Sequence, residues 1–416
     1  MTPEAQLQIL SQCADEILPD GQLLERLRVC ARDKRPLRVK QGFDPTAPDI
    51  HLGHSVGLRK LRQFQDLGHQ AVLIVGDYTG LVGDPSGRSK TRPQLTPDQV
   101  EANARTYLEQ FFKVLDRNPA PPRLPVEIHR NGEWFADWKF MDVMRLGSQY
   151  TVARLLERDD FAKRFTAHEP ISVHELFYPL MQGYDSVAIR SDVELGGTEQ
   201  KFNLLVGRVL QEIHGQPPQI ALTLPILPGL DGVQRMSKSL GNYIGVADPP
   251  REMFGKVMSL PDGIMSLYWS LVTDATSDEL HEIEASLADP GTNPMSIKKA
   301  LGLRIVRMFH GSEAAASAQR DFEAQFSRRE VPERLPEFGR ASLLAARGQD
   351  QTPSILDALV ASGFAASRGA ARRLVEQGAV TLDGERVGTI ETRVEMDRPW
   401  VLRAGRKMAR FVPGSA

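Results

Sequence analysis

Pro36-Leu-Arg-Val-Lys40 and Ala71-Val-Leu-Ile-Val75 bracket a helix-patterned stretch from about His54 to Leu67. The first run stops at Gly42 and the second at Gly76-Asp77. A continuous apolar, β-branched run ended by glycine is the pattern of a strand covered on both faces, so the segment reads as strand, helix, strand of a parallel sheet. Further apolar runs at 125–129, 193–195 and 219–224 alternate with helical stretches around 98–116, 141–165 and 198–214. An α/β, Rossmann-like doubly wound domain is expected over about 33–228, preceded by amphipathic helices within 4–33.

Beyond residue 249 the strand pattern stops, and stretches such as Ser296-Ile-Lys-Lys-Ala-Leu-Gly-Leu-Arg-Ile-Val-Arg-Met-Phe309 predict helices. Residues 327–352, with Pro332, Pro336, Gly339 and Gly348, read as a linker. After it come a helix over 354–362, a second over 367–377 closed by Gly378, and a hairpin over 379–387 turning at Asp383-Gly384.

The chain has 416 residues, 41% hydrophobic and 25% charged, which excludes general disorder, collagen and a coiled-coil rod. Its net charge of −2 gives no global field for a polyanion, so any nucleic-acid contact must be local. Such local charge exists: residues 353–416 hold ten Lys or Arg against seven acids, including Arg368, Arg372 and Arg373 on one helical segment. Cys13 and Cys30 form neither a disulfide framework nor a zinc pattern, and the first 40 residues lack a signal peptide's apolar centre, so a cytoplasmic location is expected.

Two constellations carry chemistry. Between the first strand and first helix lies Gly42-Phe-Asp44-Pro45-Thr46-Ala-Pro-Asp-Ile-His51-Leu-Gly53-His54. His51 and His54 fall three apart where a helix starts, so both imidazoles can face one ligand where backbone amides favour phosphate. A pair of ordinary surface histidines is the competing reading. Far along the chain, Arg235-Met236-Ser237-Lys238-Ser239 sits in a glycine-flanked loop. Its cations can balance a triphosphate and its hydroxyls can hydrogen-bond the oxygens, although a solvated basic turn has the same composition. Tyr178, Gln182 and Asp185 fall at i, i+4 and i+7, sharing a helix face that either lines a polar pocket or is half-buried, with Pro179 bending the projection.

His51-Leu-Gly-His54 resembles the HIGH motif and Arg235-Met-Ser-Lys-Ser239 the KMSKS motif of class I aminoacyl-tRNA synthetases. The stretches QGFDPTAPDIHLGH, GDYTGLVGDPSGRSKTR, YPLMQGYDS, GGTEQKFN and RMSKSLGNYI are similar to the tyrosyl-tRNA synthetase family, and residues 354–416 look like its S4 RNA-binding domain. The resemblance implies a catalytic domain over 1–228, a KMSKS loop region over 229–246 and a helical anticodon-side domain over 247–326. A linker over 327–352 and an S4-like domain over 353–416 follow. It implies that tyrosine is activated with ATP to tyrosyl-adenylate and pyrophosphate, then transferred to tRNA(Tyr). By the same resemblance magnesium is expected to arrive with ATP, no protein-bound metal is expected, and the molecule is expected to be a homodimer without membrane contact.

By the same resemblance, Asp84, Tyr178 and Gln182 hold the α-ammonium of tyrosine, Asp185 meets its hydroxyl, and Gly42 and Gln200 belong to the amino-acid side. A buried group that needs a hydroxyl partner penalises phenylalanine, and this family is the known illustration of that selection. Thr46 and His51 are implied at the γ-phosphate, and Asp44, Gly53 and His54 near nucleoside and substrate. Glu199, where the family usually has Asp, is implied at the ribose. Arg88 and Arg92 look like a cationic loop that grips pyrophosphate together with Arg235 and Lys238, and Met236, Ser237 and Ser239 belong to the ATP-binding loop. Arg235 replaces the family's usual Lys. Lys40 stands where many members carry a tyrosine that also contacts the hydroxyl, which leaves that contact unassigned. Competing readings are tryptophanyl-tRNA synthetase, a synthetase-like RNA-binding protein without activity, and a small nucleotidyltransferase with an H-x-G-H loop.

Overall fold

The computed structural model describes residues 1–84, 96–324, 335–346, 352–405 and 407–413. Contacts divide the chain into two compact units, Met1–Gln319 and Arg320–Ala416. In the first, strands β1 (Glu16–Leu18), β2 (Arg38–Phe43), β3 (Gln70–Val75), β4 (Glu127–Arg130), β5 (Val193–Gly197) and β6 (Ile220–Leu224) form one six-stranded sheet in the order β1-β6-β5-β2-β3-β4. All neighbours run parallel except β1, which pairs antiparallel with β6. The chain leaves β2 for β3 on one side and returns later to β5 on the other. This makes the carboxyl ends of β2 and β5 a topological switch point, where open α/β sheets bind ligands.

The burial of β3 explains its composition. Ala71 to Val75 are almost wholly inaccessible, as expected of a strand covered by helices on both faces. The Leu52–Asp66 helix follows β2 and buries Leu52, Leu58, Leu61 and Phe64. The Met265–Val272 helix packs against it, so the expected helical domain over 247–326 shares a compact unit with the sheet up to Gln319.

Three expectations change. The stretch 4–33 contains β1 between its helices, Pro3–Ser11 and Gln22–Asp33, because three residues are too few to show a period-two pattern. The helix expected over 141–165 is three: Phe140–Ser148, Val152–Leu155 and Asp159–Thr166. Thr151 restarts the chain by capping the Arg154 amide with its side chain, and extended backbone at Arg158 separates the last two. The expected linker carries β7 (Glu337–Gly339) and a helix at Arg340–Ala345.

The second unit holds a five-stranded sheet of β7 with β8 (Val380–Leu382), β9 (Glu385–Arg386), β10 (Trp400–Ala404) and β11 (Lys407–Val412) in the order β7-β11-β10-β8-β9. Phe338 in β7 lies 5.5 and 5.7 Å, centroid to centroid, from Trp400 and Phe411, which ties the former linker into this core. The Asp383-Gly384 turn has positive φ at both residues, the geometry that suits the strand twist of a tight hairpin. No helix among the described residues is long and apolar enough to cross a membrane.

Candidate active site

β2 ends at Phe43, and the following loop delivers its side chains to the switch point before the Leu52–Asp66 helix begins. The His51 backbone N–H donates to His54 Nδ1 at 3.2 Å, and the two rings lie 4.0 Å apart. An accepting Nδ1 places the proton of neutral His54 on Nε2. Burial, then the neighbouring His54 and Lys238, pushes His51 down to about 2, while burial and Lys238 push His54 to about 4. Both imidazoles are therefore neutral near pH 7 and act as hydrogen-bonding groups rather than cations. At Gly53 a Cβ would stand 2.9 Å from the His51 ring and 3.6 Å from Met236 Cβ, so the missing side chain is what lets the two motifs approach.

The second motif is locked by its own polar residues. Asp231 Oδ1 accepts from the Val233 and Gln234 amides, both at 2.8 Å. Asn242 donates to Asp231 Oδ2 at 3.0 Å and to the Arg235 carbonyl at 3.1 Å, and accepts from the Ser237 amide at 2.8 Å. Backbone bonds from Leu52 N to Ile244 O, 2.9 Å, and from Val246 N to Ile50 O, 3.1 Å, fasten the loop's exit to the histidine segment. Lys238 Nζ lies 3.4 Å from Asp49 Oδ2, and Arg235 Nη1 lies 3.2 Å from Glu199 Oε2. Burial raises the Glu199 carboxyl, with Arg235 pulling against it. Ser237 and Ser239 join hydroxyl to hydroxyl at 2.9 Å.

The Val173–Ile189 helix contributes the third wall. Tyr178 Oη donates to Asp44 Oδ2 at 2.9 Å, and Thr79 Oγ1 donates to Asp44 Oδ1 at 2.8 Å. Gln182 Oε1 accepts from Asn203 Nδ2 at 2.9 Å, and Gln200 Nε2 lies 3.4 Å from Asp84 Oδ2. Asp185 accepts from Trp134 Nε1 at 3.1 Å and from Asn131 Nδ2 at 3.4 Å. Burial lifts its carboxyl to about 7, against the opposing pull of Lys40, Trp134 and Asn131.

One cavity of about 550 Å³ joins these walls, a size suited to a small ligand. Gly42, Asp44, Thr46, His51, Gly53 and His54 line it from the first loop, with Asp84 beyond them. Tyr178, Gln182 and Asp185 line it from the helix, and Glu199 and Gln200 from the turn after β5. Arg235, Met236, Ser237, Lys238 and Ser239 complete it. The two sequence-distant motifs thus meet in one cleft. Arg88 and Arg92 lie outside the described residues.

In the other unit, Arg372 and Arg373 are exposed on the Arg368–Glu376 helix, whereas Arg368 is ion-paired with Asp357. Sequence reasoning missed Asn131, Trp134, Asn203 and Glu194. Asn131 had a signal, since it directly follows β4 at the sheet's carboxyl edge. So had Glu194: a carboxylate inside a buried apolar strand requires a partner, and Lys40 poses the same question in β2.

A family model described as tRNA synthetases class I (W and Y) matches residues 32–327, and an S4 domain model matches residues 356–397. The tyrosine–tRNA ligase of Moorella thermoacetica is 52% identical over 407 residues, covering 98% of this chain and 95% of that protein. The tyrosine–tRNA ligase of Thermotoga maritima is 50% identical, covering 100% and 98%. Among solved structures, tyrosyl-tRNA synthetase of Archaeoglobus fulgidus complexed with L-tyrosine superposes with a TM-score of 0.61 at 22% identity, covering 76% of this chain and 99% of that one. A C-terminally truncated mitochondrial tyrosyl-tRNA synthetase of Aspergillus nidulans gives 0.63 at 22%, covering 78% and 94%, so the fold is shared.

Proposed function

The chain belongs to the class I tRNA synthetase (W and Y) family, and from that premise we propose how its cavity works as a tyrosine–tRNA ligase. The observation that carries the reading is the single cleft lined by both phosphate motifs and by the Tyr178, Gln182 and Asp185 face. Tyrosine binds with its ammonium at Asp84, Tyr178 and Gln182, its ring along the cleft with Gly42 and Gln200 on the amino-acid side, and its hydroxyl at Asp185. ATP lies between the two motifs, its ribose at Glu199 and its nucleoside against Gly53, His54 and Asp44. Magnesium enters as part of the ATP substrate.

The amino acid's carboxylate, with a pKa of ~3.5, is already ionised and attacks the α-phosphorus without a base. Catalysis is then positioning and charge stabilisation. Neutral His51 and Thr46 donate to the γ-phosphate, and the His54 Nε2 proton faces the reacting nucleotide. Arg235 and Lys238 leave Glu199 and Asp49 for the departing pyrophosphate, joined by Arg88 and Arg92. Met236, Ser237 and Ser239 form the ATP-binding loop between these cations. The terminal adenosine hydroxyl of tRNA(Tyr) next attacks the adenylate carbonyl, giving Tyr-tRNA and AMP. Arg372 and Arg373, with Arg368 beside them, contact tRNA phosphate.

Two further parts of the reading rest on the surface and the composition. Phe140, Met141, Val152, Phe165 and Val173 are each more than half exposed, which supports a second copy of the chain as partner. A cytoplasmic location fits two free cysteines and a role in protein synthesis. The testing experiment is exchange of labelled pyrophosphate into ATP: tyrosine drives it, whereas exchange driven by tryptophan and not tyrosine overturns the assignment.

A further inference from the structure

Lys40 and Glu194 face each other across β2 and β5, each side chain 1% exposed, with Lys40 Nζ 3.0 Å from Glu194 Oε1. Neither residue lines the cavity; both lie one layer behind its wall. All three ammonium protons of Lys40 are engaged: the other acceptors are the Gln182 carbonyl at 3.0 Å and Ser186 Oγ at 2.7 Å. Lys40 therefore has no proton left to donate to a ligand. Glu194 is equally committed. Its Oε1 also accepts from Gln182 Nε2 at 3.0 Å, and its Oε2 accepts from Ser186 Oγ at 3.1 Å and from Gln219 Nε2.

A lone buried charge is costly and a pair roughly breaks even, so two charges kept in central strands invite a role beyond stability. The neighbouring residues indicate what that role is. A carboxylate accepts only, so Glu194 forces the carboxamide of Gln182, which lines the cavity, to present its nitrogen inward and leaves its oxygen to accept from Asn203 Nδ2. Lys40 holds the backbone of the same residue. On the opposite helix, Lys201–Ile213, a Cβ at Gly207 would stand 2.5 Å from Gln219 Nε2, 3.1 Å from Ser186 Oγ and 3.4 Å from Glu194 Oε2, so a glycine makes room for the cluster.

We propose that the buried Lys40–Glu194 pair is a positioning element of the amino-acid pocket: it fixes the place of Gln182 and the direction of its carboxamide, and thereby sets the affinity for the substrate's α-ammonium. This rests on the tyrosine-activating function proposed above. Lys40 then does not replace a hydroxyl-contacting tyrosine; it orders the opposite end of the ligand from behind.

The test is tyrosine-dependent pyrophosphate exchange by the full-length chain and four variants. Glu194→Gln is isosteric and able to donate, so the Gln182 amide loses its enforced direction. Its KM for tyrosine is expected to rise about tenfold, with KM for ATP changed less than about twofold. Lys40→Met/Glu194→Gln removes both charges together, avoids an unpaired ion, and is expected to show the same split. In a Gln182→Ala background, Glu194→Gln is expected to add nothing further to KM for tyrosine, because the pair acts through that side chain. A folded double variant with unchanged KM for tyrosine overturns the inference, as does an undiminished Glu194→Gln effect on Gln182→Ala. A parent protein without tyrosine-dependent exchange overturns the proposed function instead.

Discussion

Asp185 is a buried residue of the cavity wall, and burial holds its carboxyl up to about 7 despite the pull of Lys40. A carboxyl whose folded pKa exceeds its unfolded value near 4 binds its proton more tightly when folded. Stability therefore falls as pH rises from about 4 to about 7, and the loss is complete above that. In Asp185→Asn this slope is absent. Denaturant unfolding of both proteins from pH 4 to pH 8 is expected to shift the difference in the variant's favour by on the order of 4 kcal/mol. The same variant is expected to bind tyrosine more weakly and to select less well against phenylalanine, read from kcat/KM for the two amino acids. The histidines work the other way. His51 and His54 are held neutral far below 6.5, so they cost stability only as pH drops beneath that value. At saturating tyrosine and ATP, exchange is expected to show no inflection between pH 6 and 8 that His54→Gln abolishes; finding one would contradict the neutral-donor role. Individual side chains in the cavity were legible where two signals coincided, as with His51 and Lys238, each in a glycine-bearing loop of a recognisable motif. Trp134 was not, because its partner Asp185 comes from a helix 51 positions away and no local pattern links them, and Asn131 could be read only from its place directly after β4.

Elements were legible in proportion to their length and their isolation from turns. β3 and the Leu52–Asp66 helix stand within a residue or two of the expected bounds, because long apolar periods leave little choice of face. β1 and β7 were missed, since a three-residue strand is specified by the neighbour it pairs with rather than by its own pattern. The two motif-bearing loops belong to an intermediate class. Their composition suggested phosphate binding, yet their meeting depends on the Leu52 to Ile244 and Val246 to Ile50 backbone bonds, which no local reading reveals. That junction is sensitive at Gly53. Gly53→Ala places a Cβ 2.9 Å from the His51 ring, so the ring or the Met236 segment must move. Kinetic titration of ATP in the exchange assay is expected to show kcat/KM for ATP reduced by at least about tenfold, with circular dichroism unchanged.

Across the whole molecule, the division at Gln319 and Arg320 recasts the role of the C-terminal charge. A cut near residue 352 would remove β11 from β7 and expose Phe338, whereas a cut after Gln319 respects the compact units. A chain ending at Gln319 is expected to keep tyrosine-dependent exchange while charging tRNA more slowly; equal charging kinetics would deny the S4-like unit a part in tRNA binding. The exposed apolar side chains argue a second consequence at this scale. Phe140 is 75% exposed, Met141 59%, Phe165 63% and Val173 70%, between the Phe140–Ser148 helix and the start of the Val173–Ile189 helix, and large apolar side chains left this exposed invite a covering partner. A symmetric pair of chains, the commonest closed arrangement, would cover such side chains from both sides. The intact chain is expected to sediment as a dimer at micromolar concentration. Phe140→Asp/Phe165→Asp introduces two like charges on each side of that contact and is expected to shift the chain to monomer. Those side chains support no fold-defining core, so thermal unfolding of the variant should remain cooperative. A parent chain that sediments as a monomer throughout this range would leave the patch facing something other than its own copy.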